Sequence, residues 1–328
     1  MVSISSVFQQ GTVEEQDLRD NCECFSKKLG KSFSFCYQNP GNLSLKGDKF
    51  SCGFMEYLEE LDLLNSSLPS SNLSNPSKLE SDEITVTAFS DDHYLNFMKS
   101  HHKFRKQYPR KKMLIYGLNT SESVFNDFKL KFPNDNFEFR AFKYWKYPSY
   151  VANWMEYRFK FLIISEVLQE YSNIWWKDAH NTIHADNYME KVYQSISNSS
   201  YQSPIWSNVI TMHSNYAVLH PGLLFYFPVT HISILKKERQ LGANNMYIAR
   251  TSETIEIMKW MTLCSLQKSC MSPPGAQPSC GFSNDFFGKW GKCFRFDQSA
   301  INLLLLNKFG SHEKFKSAVV GVGIAGRV

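Results

Sequence analysis

The chain has 328 residues and no run of about 18 apolar ones, so no stretch of it reads as a membrane-spanning helix. Its opening, MVSISSVFQQGTVEEQ, has neither the charged start nor the apolar centre of a signal peptide. No CxxC pair occurs, which argues against a structural zinc site. There is no Asp-x-Asp, no internal repeat, and no motif of a nucleic-acid-binding domain. Cysteine is missing from the whole stretch between Cys52 and Cys264.

The cysteines that are present fall into two groups. Cys22, Cys24, Cys36 and Cys52 lie near the start, and Cys264, Cys270, Cys280 and Cys293 lie near the end. An even number in local clusters points to disulfides in an oxidising compartment; reduced core thiols are the plainer alternative. Asn42, Asn65, Asn72, Asn119 and Asn198 each head an N-x-S/T triplet. Cysteines and sequons together favour a lumenal or extracellular chain. A membrane anchor would then lie upstream of it, and the membrane is a partner only through that anchor.

The hydrophobic fraction of 43% and the aromatic fraction of 15% are ample for a sizeable core. The formal charge of +5 is unevenly spread: residues 99–146 carry twelve Lys and Arg against four Asp and Glu. Such a face attracts a phosphorylated donor or an acidic glycan, or it is simply a solvated helix surface. Nucleic acid is not an expected partner.

Residues 1–64 read as a cysteine-containing stem and 65–82, rich in Ser, Asn and Pro, as a linker. A main domain follows over 83–310, with a tail at 311–328. Within the domain the hydrophobic period switches repeatedly. EITVTAF (83–89) alternates and predicts a strand. Residues 91–107 predict a helix with Leu95, Met98 and Phe104 on its inner face and Asp91 as cap. Strands at 111–118 and 136–142 flank a helix begun by Ser121, with Val124 and Phe128 on one face. A long helix over 154–171 places Tyr157, Phe161, Ile164 and Leu168 on one face, and the strand NIWWKD (173–178) ends on Asp178. This β-α-β-α-β-α-β order predicts a mainly parallel sheet with helices on both faces. Ligands in such sheets bind beyond the carboxyl ends of the strands, where Thr87, Ala88 and Asp178 stand.

Asp178 opens the sequence DAHNTIH. Its carboxylate and the His180 imidazole suit Mn2+ or Zn2+ better than Mg2+. His184, one helical turn beyond His180, would share its face, but no Glu follows the first His as a metalloprotease helix requires. Downstream, His220-Pro221-Gly222 marks a turn, Arg250 closes a strand, and Thr251 caps a helix. Asp297 stands at the start of the apolar helix in RFDQSAINLLLLNKF, as a cap or as part of a site.

In this order the motifs TVTAFSDDHY, Tyr147-Pro148, YRFKFLIISEVL, IWWKDAH, LHPGLLFYF, QLGANNMYI and RFDQSAINLLL resemble an uncharacterised animal family, abundant in nematodes. Its members look like glycosyltransferases of the GT-A fold, a Rossmann-like nucleotide-diphospho-sugar transferase architecture. The resemblance spans about 83–310. It implies a nucleotide-sugar donor, a glycan, protein or lipid acceptor, and Mn2+ as an accompanying ion. By position, Asp178 and His180 would hold the metal, Thr87, Ala88 and Lys160 would bind the donor, and Asp297 with Gln298 would act on the sugar or the acceptor. Members typically show W-x-D-T/S at the strand end; here Asp178 matches, while Ala179 and His180 depart. Two further expectations stand beside transfer: a GT-A-like domain that binds glycan or nucleotide without turnover, and a metal-dependent hydrolase using His180 and His184.

Overall fold

The computed structural model describes residues 22–317, apart from 66, 184 and 200–202, and the backbone of 322–324. His184 and the first 21 residues therefore lie outside the described residues. The architecture is mixed α/β. Six strands form the central sheet: β1 (Glu83–Phe89), β2 (Met113–Gly117), β3 (Phe137–Ala141), β4 (Asn173–Lys177), β5 (Ile205–Ser207) and β6 (Asn245–Ala249). Their spatial order is β3-β2-β1-β4-β6-β5. The first four are parallel, and β6 runs against both of its neighbours. The expected mainly parallel sheet with helices on both faces is what the chain forms.

Alternation along each strand divides the core. Ile84, Val86, Leu114, Tyr116, Ile174 and Trp176 point into one apolar cluster, and Met113, Ile115, Trp175 and Tyr247 into a second on the other face. Burial on both faces explains why β4 reads as a continuous apolar run. The principal helices are α1 (Tyr94–Gln107), α2 (Glu122–Lys131), α3 (Arg158–Val167), α4 (Tyr188–Asn198), α5 (Ser252–Leu266) and α6 (Phe296–Phe309).

Two helix readings need correction. On α1, Leu95 is 71% exposed, and the buried face is Tyr94, Phe97, His101 and Phe104. Of the expected inner face, Phe104 is buried and Met98 packs against the core, while Tyr94 and Phe97 take the place of Leu95. Asp91 does not cap its own helix but accepts the Ser121 N–H at 3.0 Å, tying the end of β1 to the start of α2. The pattern over 154–171 is also broken. Trp154–Glu156 is a short 3-10 turn, Tyr157 is left-handed with φ 54°, and α3 begins only at Arg158. α3 is buried nearly all round because it packs both on the sheet and on α5, where Ser165 and Thr262 share a hydrogen bond of 3.2 Å. The buried Arg158 guanidinium donates to the carbonyls of Ser265, Gln267 and Lys268, taking up acceptors that the end of α5 leaves open.

Residues 22–63 pack on the same core as α5: Tyr37 meets Trp260 edge-on with centroids 5.4 Å apart, and Phe35, Phe50 and Leu58 are buried. Within 65–82, Pro76–Ser81 form a helix capped by the Asn75 side chain. All eight cysteines pair, as Cys22–Cys36, Cys24–Cys52, Cys264–Cys270 and Cys280–Cys293. Four disulfides are the mark of an oxidising compartment such as the secretory-pathway lumen. No helix among the described residues is long and apolar enough to cross a membrane.

Candidate functional site

The chain builds β1, β2 and β3 outward in one direction and then returns to place β4 on the other side of β1. The boundary between β1 and β4 is thus a topological switch point, where connections leave in opposite directions and open a crevice. A cavity of about 350 Å³ lies there, lined among others by Ala88, Asp92, His93, Tyr157, Asp178 and His180.

Asp178 on this lining is joined to two buried groups, the Lys160 ammonium and the Asp297 carboxylate. Lys160, on α3, puts Nζ 2.7 Å from Asp297 Oδ2 and 3.2 Å from Asp178 Oδ1, and donates to the Ala243 carbonyl at 3.0 Å. Side-chain exposure is 2% for Lys160, 5% for Asp297 and 14% for Asp178, so only Asp178 offers an appreciable surface to the cavity. Asp178 Oδ1 also accepts the Trp176 indole N–H at 2.7 Å, and its backbone N–H donates to the Asn244 carbonyl at 2.8 Å. Gln298 clamps the same loop, accepting the Ala243 N–H at 3.3 Å and donating to Gln240 at 2.5 Å. The turn Ala243–Asn244 is therefore the hub that ties α3, the end of β4 and the start of α6 together.

Burial sets the electrostatics. Desolvation raises the Asp297 carboxyl to about 6, against the opposing pull of Lys160. Burial alone would lower the Lys160 ammonium, but the charges of Asp178 and then Asp297 outweigh it and hold the lysine firmly protonated. His180 is half-buried, and desolvation lowers its pKa. Both helices that carry the triad start on a left-handed non-glycine residue, Tyr157 with φ 54° before α3 and Phe296 with φ 42° before Asp297. Such conformations persist only where the surroundings over-determine them, and they gather at functional sites.

The structure brings Asp178, Lys160, Asp297 and Gln298 together, and Ala88 and His180 line the cavity above them. Thr87 is fully buried instead, its hydroxyl without a hydrogen-bond partner among the described residues, because alternation turns it away from Ala88. Asp297 is at the second position of α6, where its carboxylate faces Lys160 rather than capping the helix. Sequence reasoning missed Trp176, whose place two residues before Asp178 puts both side chains on one face, and His93, on the turn after β1. The basic stretch 99–146 does not supply the cavity: Arg105 pairs with Asp135, Lys111 with Glu83, and Arg140 with Glu138 and Glu170.

The donor set does not fit a metal ion held by the protein alone. Asp178 Oδ1 is committed to Lys160 and Trp176, and no group of three His, Cys, Asp or Glu among the described residues is arranged to hold an ion. A hexacoordinate ion such as Mn2+ would meet the outer Asp178 oxygen and the His180 imidazole there, while Asp92 and His93 on the same lining pair with each other, and no three of these are arranged to hold it.

Residues 22–165 match the model of a family described as a protein of unknown function (DUF1647). By sequence, no curated protein matches the chain. Among solved structures, the mannosyltransferase Ktr4p from S. cerevisiae in complex with GDP aligns at 10% identity over 83% of this chain and 79% of its own, with a TM-score of 0.44. The galactosyltransferase LgtC with donor and acceptor sugar analogues aligns at 9% identity over 74% and 87%, TM-score 0.40. Core-mannan synthase A from Aspergillus fumigatus, in a Mn/GDP form, aligns at 10% identity over 86% and 82%, TM-score 0.39.

Proposed function

We propose that this chain is a GT-A-like glycosyltransferase that moves a sugar from a nucleotide-sugar donor to a hydroxyl of a glycan, protein or lipid. The observation that carries the reading is the Asp178–Lys160–Asp297 triad, whose Asp178 lines a cavity at the β1–β4 switch point. In transfer, the acceptor oxygen bonds to the anomeric carbon while the bond from that carbon to the diphosphate breaks. The bonding pair leaves with the nucleoside diphosphate, and the hydroxyl proton passes to a carboxylate. Asp178, the more exposed of the two, is the group that faces sugar or acceptor; Asp297 acts through Lys160, and Gln298 holds the Ala243 turn. Ala88 forms the wall against the nucleotide, with Thr87 behind it. Golgi residence, an upstream anchor and N-glycans on the sequons belong to the same proposal, as does membership of the animal family named above.

A panel of UDP-, GDP- and CMP-sugars incubated with the full chain tests it by release of nucleoside diphosphate or monophosphate. One donor class is expected to turn over, and Asp178→Ala to abolish that turnover. Full activity in Asp178→Ala would remove the carboxylate from the mechanism. One observation favours a second reading, binding without turnover: the Lys160 ammonium is already paired with two carboxylates. A donor that binds but is never consumed, with any acceptor, decides for that reading.

A further inference from the structure

A third partner completes the geometry around Lys160. Its ammonium donates a hydrogen bond to Ala243 O and forms ion pairs with Asp297 and Asp178, the three contacts lying within 2.7–3.2 Å. Lysine buried to this depth is uncommon without a paired carboxylate, and here there are two. The ammonium sits between the carboxylates, as a bound cation would, and it is anchored by a fixed backbone carbonyl. A divalent ion brought to Asp178 would stand beside this charge and be repelled by it in a partly water-excluded pocket.

We infer that Lys160 is the resident cation of the Asp178–Asp297 pair, and that the chain by itself holds no divalent ion at Asp178 and His180. The carboxylates are paired and oriented by a covalently attached charge, so the site does not lose its shape to chelators. Removing that charge while keeping the length of the side chain leaves two carboxylates facing one gap, which is the chemistry of a hard-cation site. The inference concerns the same site as the transfer reading, but its test needs no donor, so either can fail without the other.

Mn2+ is titrated into the full chain in the absence of any nucleotide, and free ion is read by electron paramagnetic resonance. The wild-type chain is expected to show no saturable site dependent on Asp178, while Lys160→Met takes up one ion that Lys160→Met/Asp178→Asn does not. Far-ultraviolet circular dichroism identifies variants that have folded. A wild-type site lost in Asp178→Asn or His180→Ala overturns the inference, and so does a folded Lys160→Met chain that binds no ion. Should Lys160→Met not fold, the wild-type titration against Asp178→Asn decides alone.

Discussion

Each face of the central sheet buries a lysine beside Asp178, and their proton affinities are shifted in opposite directions. Lys160 lies on the α3 face between two carboxylates, and their charges hold it protonated despite burial. Lys177, the last residue of β4, lies on the α1 face in a cage of neutral oxygens, from Ser100 Oγ and the Asn181 carbonyl. Desolvation pulls it down to about 7, with only Asp178 opposing. Both are fully buried, so burial does not decide their charge; the number and position of carboxylates does. The α3 face carries an ion cluster at the switch point, and the α1 face carries an amine with a strongly lowered proton affinity that closes the end of β4.

The largest test of this contrast is removal of the Lys160 charge. Lys160→Met leaves two buried carboxylates facing one another and is expected to destabilise by roughly 3–5 kcal/mol in urea unfolding. A loss under about 1 kcal/mol would show that the cluster is looser than the distances indicate. Lys177 gives the opposite sign. Its pKa is lower folded than unfolded, so the unfolded chain binds more protons between about pH 7 and 10.5, and stability rises with pH across that window. The rise attributable to this group is roughly 3–4 kcal/mol. Lys177→Met should abolish it and be the more stable chain at pH 7; an unchanged pH profile would count against a neutralised amine.

Asp297 makes a smaller and reversed contribution. Its carboxyl is raised to about 6, so the folded chain binds more protons between about pH 4 and 6, and stability falls as pH rises through that range. The expected fall is about 2–3 kcal/mol, absent in Asp297→Asn, and a series of urea melts from pH 4 to 7 checks it. The smallest effect separates the disulfides. Cys24–Cys52 closes 28 residues and Cys264–Cys270 closes 6, so on chain entropy the first should stabilise by about 1 kcal/mol more. Paired Cys→Ala variants compared by thermal melting would reveal whether loop length or local packing dominates.

Much of the framework was legible in the sequence because it is written in period and position. EITVTAF alternates and forms β1 over the range expected, and the polar stop after IWWK marks the mouth of the crevice. The inner face of α1 was legible only in part: Phe104 and Met98 were expected there, but Leu95 competes with Tyr94 and Phe97, and only the sheet behind selects between them. The break at Tyr157 was hidden for a related reason: an aromatic residue carries no turn signal, and the left-handed φ is imposed by packing. At the site, Asp178 and Asp297 could be named from their places on elements, and Lys160 and Gln298 only through the family resemblance. That Lys160 pairs with both aspartates could not, because the contact joins α3, β4 and α6, which are far apart in the chain. Thr87 shows the converse limit, for adjacent strand residues face opposite sides and only one of Thr87 and Ala88 can meet the cavity.

The most direct measurement is calorimetric titration of UDP-, GDP- and CMP-sugars into the full chain, with Asp178→Ala alongside and with Mn2+ or EDTA present. Saturable binding of one donor class by the wild-type chain, lost in Asp178→Ala, is the expected result and ties the switch-point cavity to a nucleotide sugar. No binding of any donor under either condition, or binding indifferent to Asp178, would contradict a nucleotide-sugar site at the end of β4.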